Sequence, residues 1–98
     1  MTKIQTKSGF VWEVNEKIVA DWDFLDMLCD SESDNETVKI VASRNAIKML
    51  LGKDGAAALA EHVKDKDGIK SSAKVFAEFK EIMNQLGEVS KKSQSSQP

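Results

Sequence analysis

Few residues in this sequence have side chains suited to covalent or metal chemistry. Cys29 is the only cysteine and His62 the only histidine among 98 residues. A thiolate nucleophile needs a base and an electropositive setting, whereas the sequence neighbours of Cys29 are acids. Cys29 is therefore expected to be a buried, inert thiol. One histidine and one remote cysteine do not make a zinc site, so His62 is expected on a polar face. Carboxylates are plentiful, but general acid–base work needs a pair set in an apolar pocket that splits their pKa values. Nothing in the sequence sets two carboxylates in such a pocket. Asp65-Lys66-Asp67-Gly68 has the opening letters of a calcium loop but lacks the later ligand positions, so it reads as a turn. There is no phosphate-cradling glycine loop and no nucleophile elbow. The expectation is a chain with no catalytic residues, no cofactor and no metal.

What remains is recognition by surfaces. The formal net charge is −2, yet the charge is unevenly spread. From Glu13 to Glu36 nine acids face one base, Lys17, a net of −8; from Thr37 onward the balance is +4. Phosphates would be repelled by the acidic stretch, and the basic half is diluted by acids, so nucleic acid is not an expected partner. Within the acidic stretch, Trp22, Asp23, Phe24 and Asp26 place aromatic rings among carboxylates. Phe24 falls off the apolar face of its expected helix, which makes these four residues the candidate partner-binding surface. Arg44 and Lys48, four apart, could pair with the acidic segment at the surface, where a pair is worth a few tenths of a kcal/mol.

The elements that would position these residues follow from periodicity. Two short strands, 3–6 and 10–14, flank a turn at Lys7-Ser8-Gly9. Phe10, Trp12 and Val14 form one bulky face of the second strand, and Trp12 is expected to anchor the hairpin on helices, since an isolated hairpin is marginal in water. Asn15 is placed to cap a helix over 16–29, with Ile18, Trp22, Leu25 and Cys29 sharing its inner face. Asp34 or Asn35 caps a helix over 36–51, whose apolar positions spread round much of its circumference. Such a helix is either central or shares a second surface with a partner. Gly52 and Gly68 are expected to stop helices. Between them lies a short alanine-rich helix, 54–64, whose Ala56-Ala57-Ala58 face lets neighbours approach and whose ridge is Leu59 and Val63. Ser71 or Ser72 caps a last helix over 72–86, with Val75, Phe76, Phe79, Ile82, Met83 and Leu86 on one face. Gly87 is expected to end it, with a serine-, lysine- and glutamine-rich disordered tail over 88–98.

The sum is a single globular α+β domain over 1–87, mostly α: an N-terminal β-hairpin packed on about four helices. The apolar fraction of 41% and charged fraction of 31% suit a soluble globular chain. No apolar run approaches the ~20 residues of a membrane span, and the N-terminus lacks the core of a signal peptide. The lone cysteine fits a reducing compartment, so a cytoplasmic location is expected.

The order of these features resembles a known family. A hairpin is followed by an acidic helix with Asp23-Phe24-Leu25-Asp26, then Leu50-Leu51-Gly52, a helix with Leu59 and His62, then Asp65 with Asp67-Gly68. A final helix with Glu81-Ile82 leads into the Lys/Ser tail. This pattern is similar to the tail assembly chaperones of long-tailed phages and prophages of Gram-positive bacteria. The junction Asp67-Gly68-Ile69-Lys70-Ser71 departs from the family habit of a proline near the start of the last helix. The resemblance implies a non-catalytic protein of the host bacterial cytoplasm, absent from the mature virion. Its implied partners are the tape measure protein and the tail tube protein; a weak homo-oligomer is a further partner that the sequence leaves open. Many members of that family are also made in a longer form by frameshifting near the 3′ end of the gene, and the adjacent Lys91-Lys92 could be encoded by a slippery run. The competing expectation from charge alone is a small acidic regulator that binds a basic host protein.

Overall fold

The hairpin forms where alternation predicts it. In the computed structural model, which describes the backbone of residues 1–94 and the side chains of residues 1–87, β1 (Thr2–Gln5) pairs antiparallel with β2 (Val11–Val14). The register sets Ile4 opposite Trp12 and Thr2 opposite Val14. Side chains alternate across a strand, so Ile4, Val14 and Phe10 all turn inward and are buried. Gly9, at φ 97°, lets the loop close, with its N–H donating to the Thr6 carbonyl at 3.0 Å.

Asn15 caps as expected, its side chain accepting from Lys17 N. The helix it starts is only a 3-10 segment, Glu16–Ala20. The continuous helix predicted over 16–29 is broken at Asp21, which sits in extended backbone at φ −69°, ψ 138°. Its carboxylate accepts from Phe24 N at 3.1 Å and caps a separate helix, α1 (Trp22–Asp30). Restarting the helix there resets its phase. Phe24 is fully buried with Met27 and Leu28 packed on the core, while Trp22, Leu25 and Cys29 face outward. Of the expected inner face, Ile18 packs on the core, whereas Trp22, Leu25 and Cys29 lie on the outer side.

Asn35 caps α2 (Glu36–Val63), its Oδ1 accepting from Thr37 N and Val38 N. Gly52 interrupts α2 at φ 77°, ψ 168°, a conformation open essentially to glycine alone. The break expected between 51 and 54 is present, but as a sharp bend with no intervening loop. Four helices become three, the second bent. In the second half Gly55 lies beneath Trp12: a Cβ there would come within 2.6 Å of the indole nitrogen. Trp12 Nε1 donates to the Leu51 carbonyl at 3.2 Å, and its ring stacks on Phe10 with centroids 6.1 Å apart. Trp12 is thus the anchor its position in the strand predicts.

Ser71 opens α3 (Ser72–Gln94), its carbonyl accepting from Val75 N at 3.0 Å. Phe79, Ile82 and Leu86 are buried, whereas Val75, Phe76 and Met83 are only partly covered. Gly87 does not end the helix, which continues to Gln94. Nothing forces a positive φ at Gly87, and a glycine inside a helix costs only about 1 kcal/mol. The remainder of the expected tail, 95–98, lies outside the described residues. Polar links tie the hairpin to α3, three of them beside the Ser8 bond described below. Thr6 Oγ1 donates to Glu78 at 2.9 Å, Lys7 N to Glu81 at 2.7 Å, and Gln85 to the Gln5 carbonyl at 2.7 Å. One core results, α+β and mostly helical, in which Ile4, Val14, Phe24, Leu51, Leu59, Ile82 and Leu86 meet. Each such side chain contributes about 1.5–3 kcal/mol gross by leaving water.

Candidate functional site

The bend at Gly52 folds the two halves of α2 toward the start of α3 and leaves a groove between them. The groove holds about 420 Å³, within the range of ligand clefts. Its floor is apolar: Ile40, Ile47, Ala56, Ala57, Ala60, Val75 and Phe76. The alanines keep the floor low because they carry nothing beyond Cβ, so another backbone can come close. Arg44 and Lys48 from before the bend, Lys53 just after it, and Lys70 from the loop before α3 also line it, with no carboxylate among the lining residues.

Lys70 is held by Glu61, at 3.5 Å, which also pairs with Lys64 at 2.8 Å. The Lys64 hydrogen bond is the main reason the Glu61 carboxyl sits below its ordinary pKa, with the charges of Lys64 and Lys70 adding to it. Arg44, Lys48 and Lys53 have no ion-pair partner among the described residues, so the pairing of Arg44 and Lys48 with the acidic segment does not form. The mixed circumference of helix 36–51 left open either a central position or a second surface. The groove itself was hidden from sequence because it depends on how α2 bends and where α3 returns.

A second surface lies on α1. Trp22 is 78% exposed and Leu25 43%. They share a face with Cys29 and are set among Asp23, Asp26 and Asp30, all exposed. Of the four residues proposed as a partner surface, Trp22, Asp23 and Asp26 are available. Phe24 is not: it is 0% exposed and belongs to the core. Cys29, expected buried, is exposed for the same reason of helix phase. Leu25, expected on the inner face, is an exposed apolar side chain beside Trp22.

A polar cluster joins the hairpin loop to the ends of α2 and α3. The Ser8 hydroxyl donates to Glu78, and His62 Nε2 lies 2.9 Å from Ser8 Oγ. His62 also rests against Phe10, ring centroids 5.5 Å apart. In a nucleophilic relay the histidine takes the serine proton and the carboxylate steadies the far ring nitrogen. Here the carboxylate holds the hydroxyl itself, which makes the cluster a clamp on the loop. Asp65 is the turn it reads as, its Oδ1 accepting from Asp67 N at 2.8 Å and Ile69 N at 3.0 Å. Among the described residues no group of three or more potential metal ligands comes together, and no helix is long and apolar enough to cross a membrane.

The surfaces that stand out are thus two: an apolar groove bordered by cations and an apolar stripe bordered by acids. Against known proteins, no family model, no curated sequence and no solved structure matches the chain.

Proposed function

We propose that the chain is a non-catalytic binding protein that shields apolar surface on a helical client, in the manner of a phage tail assembly chaperone. The observation that carries this reading is the groove between the halves of α2 and α3. It is apolar along its floor and bordered by Arg44, Lys48, Lys53 and Lys70. A groove of this kind accepts an amphipathic helix, with the floor taking its apolar ridge. The client and context come from the sequence resemblance: the tape measure protein, held in the host cytoplasm while the tail tube protein assembles around it.

Many weak contacts along one long client would add through multivalency, so no single contact needs to be strong. The test is titration of the chain with segments of the tape measure protein encoded in the same genome. Ala57→Glu places a charge on the groove floor at an exposed position. It is expected to weaken binding at least tenfold, about 1.4 kcal/mol, while leaving the fold intact. Unchanged affinity would exclude the groove, and no binding by the wild-type chain would exclude the client.

The acidic stripe on α1 favours a second reading, a regulator of a basic host protein. Binding through Asp23 and Asp26 would fall steeply with added salt, whereas binding through an apolar floor would not.

A further inference from the structure

We infer that the α2–α3 groove selects its client by charge: the segment it takes is an amphipathic helix whose apolar ridge is flanked by aspartates and glutamates. This selectivity rests on the groove being a helix receptor, as proposed above, and adds the chemistry of the helix received. Four cations rim the floor. Arg44 and Lys48 stand before the bend in α2, Lys53 just after it and Lys70 ahead of α3. All four are exposed, and no acidic residue lines the groove. Lys70 is compensated by Glu61, at 3.5 Å.

The other three have no ion-pair partner among the described residues. Arg44 and Lys48, four apart on one helix, are moreover a like-charge pair, which disfavours the helix that carries them. The acidic helix α1 does not relieve this, since none of its residues lines the groove. Carboxylates arriving beside the ridge of a docked helix would supply the missing compensation. They would do so against an apolar floor, where charges are less screened than in open water.

Floor and rim select for different features. Ala56, Ala57 and Ala60 keep the floor low, so the ridge needs large side chains such as Leu, Phe or Met to fill about 420 Å³. Every amphipathic helix offers such a ridge, so the floor alone discriminates little. The rim discriminates by attracting acidic flanks and repelling basic ones.

Two designed helical peptides, titrated into the full chain at low salt, test this. Both carry the same leucine ridge, flanked by glutamate in one and by lysine in the other. Binding at the groove is the part removed by Ala57→Gln, which fills the floor without adding charge. That control sets aside any peptide held at the acidic face of α1. The glutamate-flanked peptide is expected to bind the groove about tenfold tighter or more, and the gap is expected to narrow as salt is added. Arg44→Ala with Lys48→Ala is expected to erase most of the preference, and Arg44→Glu with Lys48→Glu to reverse it. Circular dichroism melts matching the wild type establish that the variants are folded. The charge selectivity is overturned if the wild-type groove separates the two peptides by less than that factor or prefers lysine. It is equally overturned if a folded Arg44 and Lys48 variant keeps the wild-type preference. In each of those cases a helix still docks, and the chaperone reading stands. If neither peptide binds at millimolar concentration, the selectivity and the groove as a helix receptor fall together.

Discussion

Gly55 owes its identity to Trp12. A methyl group at this position would lie 2.6 Å from the indole nitrogen and 2.8 Å from the Leu51 Cβ. Gly55→Ala would ordinarily stabilise a helix by about 1 kcal/mol. Here overpacking of about 1–3 kcal/mol is expected to outweigh that gain, read as a lower urea midpoint. Trp12 as an anchor was legible in the alternation of its strand, but the glycine that receives it was not, because the pairing spans two distant segments. Phe24 shows the opposite failure. Asp23 and Asp26 stand close on either side of it in sequence, which suggests a surface, yet three-residue spacing to Met27 carries it inward once the helix starts at Trp22. Glu61 gives a direct titration test. Its depressed pKa means that its pairing contributes above the ordinary carboxylate pKa and is lost as pH falls through the folded value. Lys64→Ala is expected to move that pKa up toward the ordinary range, measured by NMR titration of the Glu61 side chain.

Among the elements, those with strong local signals were readable: the two strands, the caps at Asn15, Asn35 and Ser71, and the break at Gly52. Asp21 was missed because a single side chain cap competes with an unbroken run of helix-compatible residues, and sequence periodicity alone does not show which wins. The helix past Gly87 was missed because that glycine keeps an ordinary φ and acts as a filler. Gly52 is different. It has open space around it, so no clash opposes a side chain, but its backbone at φ 77°, ψ 168° does. Gly52→Ala is expected to cost about 1–3 kcal/mol in chemical denaturation. Because the bend shapes the groove, the same substitution is expected to weaken whatever binds there even where the protein stays folded.

At the scale of the whole molecule, the segregation of charge visible in sequence maps onto two distinct surfaces. The acidic stretch supplies α1, and the later basic stretch supplies the border of the groove. The polarity was legible, whereas its partition between a ridge and a cleft depends on the bend in α2 and the return of α3. The seating of β1 against α3 carries a consequence for biosynthesis. Thr6, Lys7 and Gln5 bond to Glu78, Glu81 and Gln85, more than seventy residues later in the chain. Contacts this far apart in sequence form late and slow the search for the native state. The first strand therefore leaves the ribosome long before the helix that completes its support has been translated. A chain truncated after Lys70 is expected to bind the dye ANS and to lose protection of its hairpin amides from hydrogen exchange. Completion of the fold waits on the final third of translation, and until then the apolar face of the nascent hairpin is expected to stay uncovered.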